Sequence, residues 1–393
     1  MQTLNSRNYY LWFVALLWAM NPILHDIVVV IEKIPVLGWF SSQIVIVIMV
    51  LLGLLSARQW KDRIRMQDVG LYLAFCMIFF IEYVCFTNNE KILNEIAPVF
   101  LIQSAPFLLF GLIIDLNKVE SALYKISAVS LVVQMFYFWF FLRRYGYLTD
   151  NLMGDLIVSA YTTLPHVLVV LWQTLKKPKF INIVLSVLGV VLMLSFSNRG
   201  SMVAMAFFVL MYLIFVGSGN VKYKIGIGAV LVLFLVFFDA IIQSLYSFTF
   251  NMGMSVSMFD RYFEGTIGDS NGRDDIVSQI WPHIGDSFFG LGLGSDRLLA
   301  GTYSHNMVVE VLISFGIFIG GCLLIALFWL IIKSFIKTTS KEVKAFMLVL
   351  FSSSVMKLMF SSSFLVEPHL YMLIGFCVAA LRQSRYKPQT LHQ

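Results

Sequence analysis

The chain reads as a succession of apolar runs about 20 residues long, separated by short polar breaks. A helix needs roughly 20 mostly apolar residues to cross the hydrocarbon core of a bilayer. The pattern therefore predicts roughly twelve spanning helices, at 9–31, 39–56, 69–86, 96–114, 121–142, 156–175, 180–197, 201–216, 225–243, 304–332, 345–362 and 364–381. Asn21, Pro22, His25 and Asp26 interrupt the first run. Arg7 precedes it but no small-x-small cleavage site follows, so it is expected to be a retained anchor rather than a signal peptide. The expected fold class is all-α, a polytopic helix bundle. Its expected organisation is nine spans over 1–243, one large hydrophilic loop over 244–303, and three spans with a polar tail over 304–393.

Composition agrees and narrows the classes. Of 393 residues, 59% are hydrophobic and 13% charged, with mean hydropathy +0.83. Soluble domains carry about 25% charged residues. A soluble enzyme, a disordered chain and a nucleic-acid-binding module are all excluded, even at a pI near 9.0. Cys76, Cys85, Cys322 and Cys377 sit inside apolar runs without CxxC pairing and read as small packing residues.

The net charge of +6 is informative through its sidedness. Lys and Arg stay on the cytoplasmic side. With both termini inside, about 19 of the 28 basic residues fall on that side. The outer side holds Lys33, Lys91, Arg143, Arg144, Arg199, Arg261, Arg273 and Arg297. Arginine predominates there, and its planar fork suits phosphate and pyrophosphate better than a lysine point charge does. The outer side also owns the one long hydrophilic connection, 244–303, and an insertion of that length between tight hairpins is usually functional.

Three segments carry candidate chemistry. Ser197-Asn198-Arg199-Gly200-Ser201 places an arginine between two apolar runs, where it serves a substrate or snorkels to lipid phosphates. The long loop interleaves charge with aromatic residues. Asp260-Arg261-Tyr262-Phe263-Glu264 and Asn271-Gly272-Arg273-Asp274-Asp275 precede an amphipathic stretch ending at Trp281. That mixture suits a sugar phosphate, and equally a solvated loop whose charges pair among themselves. Gly290-Leu291-Gly292-Leu293-Gly294 lacks both the spacing and the preceding strand of a dinucleotide fingerprint, so a flexible re-entrant turn is expected. Tyr303-Ser304-His305-Asn306 opens the tenth span, and Glu310 lies one turn on, sharing a helix face with Asn306. A helix N-terminus favours an anion, and histidine can donate to it or act as a base. The structural alternative is a capping cluster with Ser304 as the cap. Arg143-Arg144 breaks the positive-inside trend and is a further substrate or headgroup candidate, as are Glu367 and His369. Glu82, Asp239 and Lys357 lie within spans and are expected near span ends or paired within the bundle. No metal-ligand spacing is present, and no cofactor is expected.

The order of these motifs resembles the O-antigen polymerase and O-antigen ligase superfamily of bacterial inner membranes. The motifs in question are Ser-Asn-Arg-Gly-Ser, then Gly-Arg-Asp-Asp and Phe288 to Gly294, then Ser304-His305-Asn306 through Glu310 to Phe315–Gly320. They cover roughly 195–320, and the span pattern extends the likeness over the whole chain. Ser361-Ser362-Ser363 to His369 is more similar to the polymerases. The resemblance implies a GT-C-like, metal-free glycosyltransferase acting at the periplasmic face, with both termini cytoplasmic. It implies transfer of a growing glycan from undecaprenyl pyrophosphate onto a lipid-linked repeat unit. It further implies essential roles for Arg199, His305 and Arg261 or Arg273. Arg261 is followed by ten residues and Gly272, a spacing similar to that of some polymerases. Glu310 and Glu264 are secondary candidates for the base, and Asn306, Arg143 and Arg144 for substrate binding. The implied partners are the lipid-linked oligosaccharide and inner-membrane lipids, with a chain-length regulator and a flippase as candidate proteins and no nucleic acid. A ligase acting on lipid A-core shares these motifs. A lipid-linked oligosaccharide flippase is the alternative of another class, which short loops and mid-membrane charges would mark.

Overall fold

The computed structural model describes residues 8–19, 47, 51, 53–57, 61, 63–138, 152–196, 198–217, 240, 243–244, 247 and 272–386. These are almost wholly helical, with no strand among the described residues, and the chain is an all-α helical membrane protein. Met66–Cys85, Thr87–Ile113, Leu116–Phe136 and Met307–Lys337 are each long and apolar enough to cross a membrane. The expected spans 39–56 and 225–243 lie largely outside the described residues, as does Asp239.

The chain divides into two compact units. One comprises Met1–Trp12, Leu52–Val119 and Ser270–Gln393. It holds α1 (Met66–Cys85), α2 (Glu90–Pro98), a π-helical turn Val99–Ser104 and α3 (Pro106–Ile113). Its C-terminal half adds α7 (Arg273–Ile280), α8 (Ser295–Ala300), α9 (Met307–Lys337), α10 (Lys341–Phe351) and α11 (Pro368–Tyr386). The other unit comprises Phe13–Leu51 and Glu120–Asp269. Its described helices are α4 (Leu116–Phe136, from Glu120 onward), α5 (Leu152–Lys176), α6 (Phe180–Ser195) and the separate helix Arg199–Phe215.

Within the first unit, α3 and α11 form the centre. A Cβ at Gly111 would lie 2.2 Å from the Met372 carbonyl, and one at Gly375 would lie 2.0 Å from that of Leu108. The two backbones therefore touch directly, the contact that small residues permit between membrane helices where lipid leaves no hydrophobic drive. Polar ties fasten this core at its margins. Arg382 grips the fully buried Asp68 carboxylate with both guanidinium arms, joining α11 to the start of α1. Tyr10 donates to the Ile113 carbonyl at 2.9 Å and accepts from the Asp115 amide at 3.1 Å. Lys357 pairs with Glu367, whose other oxygen lies 3.1 Å from His369 Nδ1. Lys357 is thus paired within the bundle, as expected from its position in a span.

The largest departure from the hydropathy pattern is in α9. The sequence predicts one continuous span over 304–332, but Gly316 has φ 74° and ψ 167° and breaks the helix. Beyond the break, Gly320 comes back against Val311, whose carbonyl would be 2.8 Å from a Cβ there. The first limb, 307–315, is about 13 Å long and too short to cross, whereas 317–337 is about 30 Å long and matches a bilayer core. Hydropathy cannot see such a break, because both limbs are apolar.

The segment 290–294 fills the break. Leu291 N donates to the Ile313 carbonyl at 2.8 Å and Gly292 N to that of Ser314 at 3.0 Å. These are carbonyls that the interrupted helix ladder would leave unmet, a costly state in an apolar setting. From the other side, Asn89 Nδ2 donates to the carbonyls of Leu291 (3.0 Å) and Leu293 (2.9 Å), and Glu82 accepts from the Leu293 amide at 3.2 Å. The glycines at 290, 292 and 294 all have positive φ, and their missing side chains admit the α9 backbone, the Phe86 ring and Ile92 respectively. The segment is a re-entrant turn as expected, but pinned on two sides instead of flexible.

Gly290→Ala or Gly316→Ala would drive a Cβ to 2.3 Å from backbone carbonyl oxygens in a conformation hostile to L side chains. Each is expected to cost about 2–4 kcal/mol, read as lost thermal stability in detergent. Gly285→Ala, with open space at its Cβ, is expected to be neutral.

Candidate functional site

The site of interest in the first unit forms where α7, α8 and the start of α9 converge. Gly272, with φ 75°, turns the chain into α7 and makes Arg273 its first residue. Ile280, Ile284, Val309 and Ile313 are buried together and pack α7 and the turn after it onto the short limb of α9. Gly294 and Gly301, both left-handed, bound the six-residue α8, which carries Asp296 and Arg297.

Asp296 is fully buried and organises the next turn. Its Oδ2 accepts from the Ser304 amide at 2.8 Å, and its Oδ1 from the Arg297 amide at 3.0 Å. Burial raises its pKa against the opposing pull of those amides and of the Arg297 charge. On the far side of the turn, Ser304 Oγ donates to the Asn306 carbonyl at 3.0 Å. Between these two anchors His305 has φ 55°, a left-handed conformation that costs a residue with a side chain about 1–2 kcal/mol. Its ring lies against Tyr303, centroids 4.1 Å apart. His305 Nδ1 is buried with no hydrogen-bond partner among the described residues, and the same holds for Arg297 Nη1. Burial, and then the charge of Arg273, push the His305 pKa down to about 4. The imidazole is therefore neutral at ordinary pH, burial and the nearby guanidinium both disfavouring its charged form.

Asn306, not Ser304, caps α9, because its Oδ1 accepts from Val308 N (2.9 Å) and Val309 N (3.3 Å). That corrects the capping expectation and changes the anion argument, since two of the amide donors at this helix end are already spent. Glu310 is also committed. One oxygen accepts from Ser363 Oγ and the other from Phe364 N at 3.0 Å, so this buried carboxylate holds the 363–364 turn against α9. Glu367 and His369 belong to the Lys357 network.

Beside the His305 turn runs an apolar cavity of about 750 Å³. Met307, Val311 and Phe315 face it from the short limb of α9, Leu293 from the pinned turn, and Phe364 from the turn held by Glu310. Glu82 is the carboxylate in its wall.

The structure thus brings together Arg273, His305, Asn306 and Glu310, and adds Asp296, which the sequence reading did not name, Arg297, named only among the outer-side cations, and Ser363, named only within the stretch 361–369. Arg199 belongs to the second unit. There it is the first residue of the helix Arg199–Phe215, whose cap Asn198 accepts from Ser201 N at 3.1 Å. Arg143, Arg144, Arg261 and Glu264 lie outside the described residues, so of Arg261 and Arg273 only Arg273 has a described position. No group of three or more metal-ligating side chains occurs among the described residues. Compared with family models, curated proteins and solved structures, the chain matches none.

The depressed pKa of His305 gives a signed pH effect. The free imidazole titrates near 6.5 and the folded one near 4, so between these values the unfolded chain binds the extra proton. This contribution is full above about pH 6.5 and is lost as pH falls toward 4. The melting temperature of the wild type should consequently fall further between about pH 7 and about pH 4.5 than that of His305→Gln.

Proposed function

We propose that the chain is an O-antigen polymerase of the bacterial inner membrane, a GT-C-like bundle of about twelve spans with both termini cytoplasmic and its site periplasmic. It would transfer a growing glycan from undecaprenyl pyrophosphate onto a lipid-linked repeat unit. The observation that carries this reading is a neutral imidazole with a buried, unpartnered Nδ1, set near Arg273 on the turn that leads into the helix whose Met307 and Val311 line an apolar cavity. That combination matches a substrate with a pyrophosphate head, a hydroxyl to be activated and a hydrocarbon tail.

In the proposed reaction an acceptor hydroxyl attacks the anomeric carbon of the donor glycan. The new glycosidic C–O bond forms as the bond to pyrophosphate breaks, and undecaprenyl pyrophosphate leaves with the electron pair. His305 takes the hydroxyl proton: its low pKa keeps it unprotonated at neutral pH while making it a weaker base than a free imidazole. Stabilising the departing anion is the main electrostatic demand. Arg273 and Arg297 are the cations at this site, and Arg199 is a candidate on the resemblance alone. Glu310 acts here as a positioning residue, and the apolar cavity takes the start of the isoprenoid tail.

Deletion of the gene should collapse the lipopolysaccharide ladder to core plus a single repeat unit. Loss of every repeat from the core, with long polymer accumulating on the lipid carrier, would identify a ligase instead. An unchanged ladder would overturn both. Arg273→Ala, His305→Ala and Arg199→Ala are expected to abolish extension without lowering protein abundance, and normal product from all three would remove the residue assignment. With His305 as the base, the acid limb of activity should fall toward about pH 4 rather than near 6.5.

A further inference from the structure

The second unit contains a polar seam that the proposed reaction does not use. Two direct contacts set the register of α4 against α5. Gln173 Nε2 donates to Glu120 Oε1 at 2.7 Å, and His166 Nδ1 lies 3.2 Å from Ser127 Oγ. Glu120 and Ser127 are seven residues apart, as are His166 and Gln173, so the helices run antiparallel with these four residues on facing sides. Continuing the register sets Ser130 opposite Thr163 and Gln134 opposite Ser159. All six residues from Ser127 to Gln134 and from Ser159 to His166 in this series are 0–1% exposed.

Serine, threonine, glutamine and histidine commonly pack and hydrogen-bond between membrane helices, so what distinguishes this face is which of its groups have partners. One end of the seam is satisfied. Trp18 Nε1 donates to Ser127 Oγ at 3.1 Å, and its ring lies edge-on to His166. Lys176 Nζ joins Gln173 on Glu120 at 2.7 Å. Further along, the hydroxyls of Ser130, Ser159 and Thr163 have no hydrogen-bond partner among the described residues. Serine and threonine in helices ordinarily return their hydroxyls to a carbonyl one turn back, as Thr174 does to Val170 and Ser195 to Val191. Three that do not, on facing positions of one register, are left with an unmet requirement that a dry membrane interior cannot supply. Pro165, inside α5, contributes no amide to the helix ladder at this level and weakens the helix where the seam lies.

We propose that the face between α4 and α5 is a hydrophilic cleft that opens within the helices to bind neutral hydroxyl groups, those of water and of a carbohydrate chain, and that it is closed in this structure. The described groups along it between Ser127 and Gln134 are uncharged hydroxyl, amide, imidazole and indole groups. They can donate to and accept from hydroxyls, and they offer no ammonium or guanidinium for an anion.

The test uses full-length protein with its four native cysteines replaced by alanine. Ser130→Cys, Ser159→Cys and Thr163→Cys are introduced singly, with Leu131→Cys and Val167→Cys as fully buried apolar controls on the same helices. A small hydrophilic methanethiosulfonate is added to opened membranes, where reaction requires a hydrated thiolate. Modification of the seam positions at least tenfold faster than the controls is expected. Seam cysteines as inert as the controls would overturn the proposal. Slowing by an excess of maltotriose would show that sugar hydroxyls enter, and no slowing would restrict the occupant to water. The melting temperature gives a second, independent sign. Thr163→Val should lower it if the hydroxyl is met by water, whereas a rise would mean a dry, unsatisfied contact and would also overturn the proposal.

Discussion

A membrane helix that stops halfway must find partners for the carbonyls it exposes, and this one requirement organises the first unit. At Gly316 the helix α9 turns, and the freed carbonyls of Ile313 and Ser314 are met by amides of a glycine-rich segment 22 residues upstream. That segment in turn needs its own carbonyls met, and Asn89 meets two of them. The Glu82 carboxylate takes a remaining amide. The chain of obligations explains why three glycines alternate with two leucines. Each glycine removes a side chain at a point of close approach, and Leu293 turns into the apolar cavity.

The same device positions the candidate chemistry. The first limb of α9 ends at Gly316, so its N-terminal turn opens a short helix, backed by buried Asp296 and followed by Met307 and Val311, which line the cavity. A histidine at such a turn is partly withdrawn from water and next to a guanidinium, and both effects hold it neutral. A carboxylate beside it would have had the reverse effect. The nearest acid, Asp296, is occupied by two backbone amides, and Glu310 faces the Ser363 turn. The imidazole is left with a nitrogen that no described group occupies.

Much of this was legible from residue patterns, and the exceptions have physical causes. Apolar runs predict helices well because burial of the backbone in lipid leaves no other choice, and α1, α4, α5 and α11 fall where expected. His305 stood out because it opens an apolar run beside Asn306 and Glu310, and Arg273 because its stretch of the loop mixes arginine and carboxylates with aromatic residues. Asp296 and Arg297 did not, since an acid and a base in a hydrophilic loop look like solvated surface until the loop folds inward. Ser363 was one of several serines, and its tie to Glu310 spans 53 residues of chain. The break at Gly316 was invisible to hydropathy, because a glycine amid phenylalanines and isoleucines leaves the run apolar. The polar seam of α4 and α5 was hidden for a related reason: single serines and threonines barely lower the mean of a window, although they recur at helical spacing.

The clamp on the glycine segment joins parts of the chain made far apart in time. Glu82 and Asn89 reach Leu291 and Leu293 across more than 200 residues, and the carbonyls of α9 come later still. During synthesis the early helices must therefore wait in the membrane with a carboxylate and a carboxamide unmatched, and the closing piece arrives only when α9 leaves the ribosome. A chain truncated before Leu291 would carry those unmatched groups permanently. Cellular quality control could thus distinguish a finished molecule from an unfinished one by the state of two side chains near its beginning.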